Sequence, residues 1–194
     1  MKRTLFAGMV ALPMLAMLNL AHAESIPAQT HMVGTFGITY GGDKLATVHY
    51  TNGDDQDIHG GGLLLFGLGV DHQFGNQWEL QATLNYLFDT SHAENGDVTF
   101  SRWPLDVLAF YRNGPHRIGG GITYHMNPTF DADTPAVNFT VDFDDAVGGI
   151  IEYDYFFTEN VSLGVRGTLI DYKSDGNESI SGNSIGLILN GYFF

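Results

Sequence analysis

Apolar and polar residues alternate along most of the chain, from about residue 33 to the last residue. In the stretch WELQATLNYLF (78–88) the apolar row begins at Trp78 and the polar row begins at Glu79. The stretches VGGIIEYDYFF (147–157) and VSLGVRGTLIDY (161–172) repeat the pattern. A period of two residues is typical of β-strands, because successive side chains point to opposite faces. The pattern therefore predicts an all-β fold.

Turn residues divide the alternating pattern into eight segments, with limits near 33–50, 59–74, 78–92, 98–112, 116–130, 146–157, 161–173 and 180–194. Three of the links are tight: GNQ (75–77), NGP (113–115) and TEN (158–160). The other four are longer or more polar. Alternating short turns and long loops are typical of transmembrane barrels. We therefore predict an eight-stranded antiparallel up-and-down transmembrane β-barrel over residues 33–194, with both termini on the side of the short turns.

A soluble sandwich or lipocalin-like barrel would also alternate, with its apolar rows inside. The position of the charges favours the membrane barrel, because most charges within strands lie opposite the aliphatic and aromatic rows. These charged residues are Asp71, Glu79, Arg102, Asp106, Arg117, Glu152, Asp154 and Arg166. We expect them to face the interior of the barrel.

Aromatic residues cluster at the two ends of the predicted strands, as interfacial girdles do. The group near the tight turns and the last residue is Trp78, Tyr111, Tyr155, Phe157, Phe193 and Phe194, and the group toward the long loops is Tyr40, Tyr50, Phe88 and Trp103. A soluble domain has no reason to expose an aromatic last strand such as IGLILNGYFF (185–194).

The first residues predict export. Lys2 and Arg3 precede an apolar stretch that ends in Ala21-His22-Ala23, which is typical of a secretory signal peptide over residues 1–23 followed by a periplasmic linker over 24–32. The chain has no cysteine, so it must fold without disulfides. It has 22 acidic and 8 basic residues, and cleavage would remove two of the basic ones. Such a surface is a poor partner for nucleic acid.

The signal peptide, the eight alternating segments, the short turns and the terminal aromatics together resemble the small outer-membrane barrels of the OmpA membrane domain, OmpX and OmpW kind. The resemblance implies a monomeric integral protein of the outer membrane, in contact with outer-membrane lipids and lipopolysaccharide. It also implies that the barrel-assembly machinery reads the closing strand at Tyr192, Phe193 and Phe194.

The inward charges leave the function open. An eight-stranded barrel is only wide enough for side chains to fill its interior. A salt-bridged plug is therefore expected rather than an ion path, and with it a structural or surface-interaction role without catalytic residues, metal or cofactor. The alternative that an OmpW-like resemblance implies is a narrow channel for small hydrophobic molecules.

A lipid A-modifying enzyme is the third hypothesis. Some outer-membrane deacylases carry a His-x-Ser-Asn motif, but His125 is followed by Met126, Asn127 and Pro128. A general base needs a nucleophile to activate, and Ser91 and Ser101 are the serines near the same rim. We therefore expect a protein that is not an enzyme.

The remaining motifs are given structural interpretations. The triplets Gly60–Gly62 and Gly119–Gly121 lack the other residues of a phosphate loop, so close backbone approach explains them better. Gly41 and Gly42 suggest a bulge within the first strand. The acidic loops do not match an EF-hand and are expected to be solvated; their acids are Asp54, Asp55, Asp57, Asp131, Asp133, Asp142, Asp144 and Asp145.

The last strand contains a conflict. Strict alternation back from Phe194 and Tyr192 would place Asn190 toward lipid, although Ile185, Leu187 and Leu189 form the apolar row. A bulge at Asn190-Gly191 would resolve the conflict by keeping Asn190 off the lipid face and turning Tyr192 and Phe194 outward. This bulge is the prediction for the end of the barrel.

Overall fold

The computed structural model describes residues 29–49, 55–93, 96–133, 138–173 and 179–193. Within these ranges the chain forms thirteen β-strands: β1 Gln29–Gly41, β2 Lys44–His49, β3 Asp55–His59, β4 Leu64–Phe74, β5 Trp78–Ala93, β6 Gly96–Asn113, β7 His116–Asp133, β8 Asn138–Asp142, β9 Ala146–Thr158, β10 Val161–Leu169, β11 Asp171–Lys173, β12 Ser179–Ser181 and β13 Ser184–Phe193. The described residues include no helix long and apolar enough to cross a membrane.

Eight of the strands form a closed antiparallel barrel in the order β1-β4-β5-β6-β7-β9-β10-β13. The barrel closes where β13 pairs with β1, from Met32 opposite Phe193 to Gly41 opposite Ser184. The tight turns join β4 to β5, β6 to β7 and β9 to β10, as the sequence predicts. The prediction of an eight-stranded antiparallel barrel is confirmed, although β1 begins at Gln29, inside the region expected to be a linker.

The outer wall of the barrel is a continuous apolar surface. Aliphatic side chains that a soluble protein would bury stand exposed on it: Ile38, Leu68, Val70, Leu84, Ile118, Ile122, Val147, Ile151, Leu163, Val165, Leu169, Ile185, Leu187 and Leu189. The alternate positions of the same strands carry buried polar and charged residues. A soluble lipocalin-like barrel has the opposite arrangement. The wall is therefore built to face lipid, and the closed barrel satisfies the backbone hydrogen bonds that lipid cannot.

Aromatic side chains edge this apolar surface. On the side of the tight turns, the rings of Trp78 and Tyr111 meet at 5.3 Å and those of Tyr155 and Phe157 at 5.4 Å. On the opposite side Tyr40 and Trp103 are exposed. Both positions match the expected girdles. Two further aromatics assigned to the girdles, Tyr50 and Phe194, lie outside the described residues.

The strands continue beyond the barrel on the side of the long loops. There β2 pairs with β3, β11 pairs with β12, and β8 pairs with the end of β7. In this extension the apolar residues face inward, as they do in a soluble protein, and we call the resulting cluster the outer core. Its members are Ile58, Val98, Phe100, Phe130, Ala132, Ala146, Ile170 and Tyr172.

The segment predicted as the first strand forms two strands, so the prediction of a bulge within one strand at Gly41-Gly42 is wrong. β1 ends at Gly41 and β2 begins at Lys44. Gly42 has a φ of +79°, and a Cβ there would lie 2.4 Å from the backbone nitrogen of Gly61 and 2.7 Å from the carbonyl oxygen of Ser181. Only glycine fits where two backbone segments approach so closely. Gly41 and Gly42 therefore end the barrel strand and redirect the chain into the extension.

The bulge expected at Asn190-Gly191 is also wrong. The pairing of β13 with β1 runs without a shift from Ser184 to Phe193. Strict alternation therefore holds, with Asn190 and Tyr192 buried inside and Phe193 exposed on the lipid side. The conflict in the sequence came from assigning Tyr192 to lipid because it is aromatic, whereas its ring packs inside against Phe156 at 5.4 Å.

The apolar wall makes a prediction about single charges. Replacing Val165, which lies near the middle of β10, with arginine is expected to reduce the free energy of unfolding by about 2–4 kcal/mol, because a cation at the bilayer midplane is costly. Val161→Arg, at the tight-turn end of the same strand and the same face, is expected to cost about 0–1 kcal/mol. Reversible urea unfolding in lipid vesicles measures both. Equal costs at the two positions would contradict a lipid-facing wall.

A charge network inside the barrel

The inward row of each barrel strand brings the charged residues together. Because side chains alternate along a strand, Glu152 and Asp154 of β9 point inside while Tyr153 and Tyr155 point to lipid. The inward carboxyls and guanidinium groups are almost completely removed from solvent, with Arg117 and Asp154 at 0% exposure. Charges so deeply buried are stable only when they are paired and hydrogen-bonded.

Arg117, on β7 beside a tight turn, is the centre of the half of the interior nearest the tight turns. Its Nε donates to Asp154 Oδ2 at 2.9 Å, and its Nη1 donates to Glu79 Oε2 at 3.0 Å and to Asp71 Oδ2 at 3.4 Å. Its guanidinium also lies 3.9 Å from the centre of the Phe110 ring. One cation therefore joins carboxylates from β4, β5 and β9.

Arg166, on β10, is the second centre and lies further toward the long loops. Its Nε donates to Glu152 on β9, and its Nη1 donates to Asp106 Oδ2 on β6 at 2.8 Å. Asp106 also accepts from Thr123 at 2.6 Å and from Asn85 at 2.9 Å. The Arg166 guanidinium and the Asp106 carboxylate thus join side chains from β5, β6, β7, β9 and β10.

Uncharged polar residues complete the connections. Thr35 of β1 donates to Asn190 Oδ1 of β13 at 2.8 Å, and Asn190 Nδ2 reaches Glu152 Oε1 at 3.4 Å. Tyr192 donates to Gln81 Oε1 at 3.3 Å, which also accepts from Arg117. All eight barrel strands thus contribute a side chain to one hydrogen-bonded set. We call this set the charge network, with charged members Asp71, Glu79, Asp106, Arg117, Glu152, Asp154 and Arg166.

The mouth on the tight-turn side is closed by a third arginine. Arg112 lies with its guanidinium 3.7 Å from the centre of the Phe156 ring and its Nη1 3.4 Å from Glu79 Oε1. Its side chain keeps 27% exposure, so it joins the network to the solvent. Arg112 was not among the predicted interior charges, although counting by twos from Asp106 along β6 leads to it.

The structure brings seven of the eight predicted interior charges into this network and leaves Arg102 apart. Arg102 faces inward and is buried, but its guanidinium contacts rings instead of carboxylates, at 4.6 Å from the centre of Phe100 and 5.6 Å from that of Tyr172. The sequence gives no signal for this difference, since alternation sets the face of the wall but not the partner across the lumen.

The predicted closure residues divide between the two faces. Phe193 stands on the lipid face opposite Met32, and Tyr192 lies inside opposite Val33. Phe194 lies outside the described residues. The aromatic end of β13 is therefore both part of the girdle and part of the interior.

His125 lies inside the barrel wall rather than at its lipid-facing rim. Its Nδ1 is 2.6 Å from the hydroxyl of Tyr172, and the residue is only 3% exposed. Ser101 pairs laterally with Phe88 on the outer face, and Ser91 pairs with Val98 beside the outer core. The structure does not assemble His125 with either serine.

The acidic residues of the extension bond to hydroxyls and amides. Asp131 accepts from Thr140 at 2.7 Å, and Asp57 accepts from Thr47 at 2.7 Å. The hydrogen bond from Thr47 lowers the pKa of the exposed Asp57 carboxyl. Within the described ranges, no group of three or more His, Asp or Glu side chains is arranged to hold a metal ion. Asp54 lies outside the described residues.

The network predicts a strong dependence on Arg117. Arg117→Met leaves Asp71, Glu79 and Asp154 with no cation at the centre, so unfolding in lipid vesicles is expected to require about 3–5 kcal/mol less free energy. Adding Asp154→Asn is expected to restore part of the loss, because it removes one unpaired charge. The partly exposed Arg112 at the mouth provides the control: Arg112→Met leaves Glu79 paired with Arg117 and is expected to cost about 0–1 kcal/mol. A loss for Arg117→Met no larger than that control would contradict the network.

Comparison with known proteins identifies the fold. No protein-family model and no curated protein sequence matches the chain. Among solved structures, it is similar to the attachment invasion locus protein Ail of Yersinia pestis, with a TM-score of 0.55 and 10% identity over 86% of this chain and 99% of that one. It is also similar to Neisserial surface protein A, with a TM-score of 0.51 and 11% identity over 85% and 98%. Outer membrane protein OprG from Pseudomonas aeruginosa has a TM-score of 0.45, too low to carry an argument.

At these identities the similarity establishes the fold alone. This structure itself shows a lipid-facing wall, aromatic girdles and a closed ring of backbone hydrogen bonds. Barrels with these features are proteins of outer membranes. The chain is thus an integral outer-membrane protein with the fold of the small eight-stranded β-barrels.

Proposed function

We propose that this protein is a sealed, non-enzymatic outer-membrane barrel whose role is structural or depends on contacts at the cell surface. The observation that carries the proposal is the charge network, in which side chains from all eight strands meet across the lumen. An ion-conducting path would need a continuous row of hydrated polar groups along the lumen. The groups here are instead bonded to one another and removed from solvent.

Both ends of the interior support a seal. On the tight-turn side, Arg112 stacks on Phe156, and Phe156 packs against Tyr192 of the network. On the other side, the outer core fills the extension with apolar side chains, including Phe100 and Tyr172, whose rings meet at 5.6 Å. The alternative of a channel for small hydrophobic molecules would need an apolar route through the barrel, and the polar network lies across that route.

The extension supports a role at the surface. The hairpin of β2 and β3 and the pair of β7 and β8 project beyond the lipid-facing wall and carry several exposed acids. Lipopolysaccharide and the lipids around the wall are the partners we propose, with the barrel-assembly machinery acting on β13 during insertion. The barrel closes on itself through β1 and β13, which fits a monomer.

The position of His125 supports the non-enzymatic part of the proposal. Acyl transfer needs a base that activates a nucleophile next to the lipid substrate. His125 is instead buried and paired with Tyr172, and Ser101 lies on the other face of the wall.

A sealed lumen predicts electrical silence. The purified barrel reconstituted in a planar bilayer is expected to give no reproducible current steps at either polarity, because the paired groups leave no continuous water path. A general diffusion porin in the same bilayers serves as the positive control. Reproducible steps that scale with the number of inserted barrels would contradict the seal.

The absence of lipid modification is tested separately. Overexpression in a Gram-negative host is expected to leave the mass spectrum of lipid A unchanged, since the described part of the rim assembles no base with a nucleophile. His125→Ala, expressed to the same level, is the matched comparison. A new lipid A species that appears with the native protein and disappears with His125→Ala would refute the proposal.

A further inference from the structure

Arg102 lies between the polar charge network and the apolar outer core. It lies on β6, above the charge network and below the outer core. The pairing of β6 with β7 shifts register opposite Arg102, where two steps along β6, from Ser101 to Trp103, face three along β7, from Met126 to Thr129, so the extra residue of this β-bulge lies on β7. Arg102 itself keeps the alternation of β6, so it points inward like Phe100 and Asp106, and it is 1% exposed.

The guanidinium of Arg102 has no ion-pair partner among the described residues. None of its three nitrogens makes a hydrogen bond there, and no carboxylate of those residues lies within ion-pair distance. Asp89, the inward acid on the neighbouring strand, accepts from the backbone nitrogen of His59 at 2.9 Å instead. The hydroxyl of Tyr172, 2.6 Å from His125 Nδ1, is uncharged and does not balance the guanidinium. A buried charge left in this state is costly unless an anion accompanies it.

A second guanidinium lines the same cavity. Arg166 binds Asp106 and Glu152 through Nη1 and Nε, but its Nη2 is buried and makes no hydrogen bond with the described residues. Arg102, Arg166, His125 and Asp106 line this cavity, together with Thr168 and Ser184, and the Asp106 carboxylate already accepts from Arg166, Thr123 and Asn85. Because Arg166 is already paired with two carboxylates, it contributes a free N–H, and the cation without an ion pair among the described residues is Arg102.

The size of the cavity limits the ligand. Only about 10 Å³ is open to the centre of a water molecule, which is room for a single small species. Phosphate, sulfate and carboxylate ligands are too large. A water molecule would fit and could accept hydrogen bonds, but it would leave the charge of Arg102 unbalanced.

We propose that this cavity binds one monovalent inorganic anion of the halide class, such as chloride, between Arg102 and Arg166. The anion accepts hydrogen bonds from both guanidinium groups and balances the charge of Arg102. Since Arg102 also contacts Phe100 and Tyr172, the bound anion joins the outer core to the charge network. The stability of the barrel therefore depends on halide.

The experiment is thermal unfolding of the full barrel in detergent, with sodium chloride or bromide titrated against sodium gluconate at constant ionic strength. Gluconate is too large for the cavity. We expect a saturable rise in the unfolding midpoint with either halide. Arg102→Gln should abolish the rise, and Arg112→Gln, at the opposite mouth, should retain it. Equal midpoints in halide and gluconate, or a halide effect that persists in Arg102→Gln, would overturn the proposal.

Bromide diffraction decides the case even if Arg102→Gln does not fold. Crystals of the native barrel grown in bromide are expected to show an anomalous peak within hydrogen-bonding distance of both guanidinium groups. No anomalous peak in the cavity would indicate that it holds only water and would overturn the proposal.

Discussion

The structure depends on two buried guanidinium groups, those of Arg117 and Arg166, which hold five carboxylates inside a closed barrel. The lipid-facing wall makes this necessary. With the outside committed to apolar residues, the polar residues of the strands lie in the inward rows, and polar groups away from water must bond to one another. The arginines satisfy this requirement by joining strands that are distant in the sequence, such as β4 and β7.

The interior changes character along the barrel axis. Within the lipid-facing part it holds the charge network, and in the extension it holds the apolar outer core, because the outer surface changes from lipid to water. The same alternation of side chains therefore serves opposite purposes in one strand: on β6, Asp106 joins the charge network and Phe100 joins the outer core. Arg102 lies where the two regimes meet, which explains why a cation there lacks an acidic partner among the described residues.

Alternation and turn spacing predict the eight strands, the inward face and most of the girdles, because these are local properties of a strand. They do not predict the partner of each charge, since Arg117 reaches Asp71, 46 residues away, only through the register of several strands. The extension was also missed as a separate region. Because the alternation continues past the membrane boundary, the sequence predicts β1 and β2 as one strand. In the structure the close backbone approach at Gly42 separates them. The inward Tyr192 shows that strand register outweighs residue type.

The most direct test of the central claim is hydrogen exchange at the arginine side chains, followed by NMR of the ¹⁵N-labelled barrel in lipid. The Nε–H groups of Arg117 and Arg166 donate inside the sealed network, and Arg112 at the mouth provides an internal reference with a partly exposed side chain. If the network seals the lumen, the Nε–H signals of Arg117 and Arg166 will persist in D₂O long after that of Arg112 has disappeared. Loss of all three signals at the same rate would contradict a sealed interior.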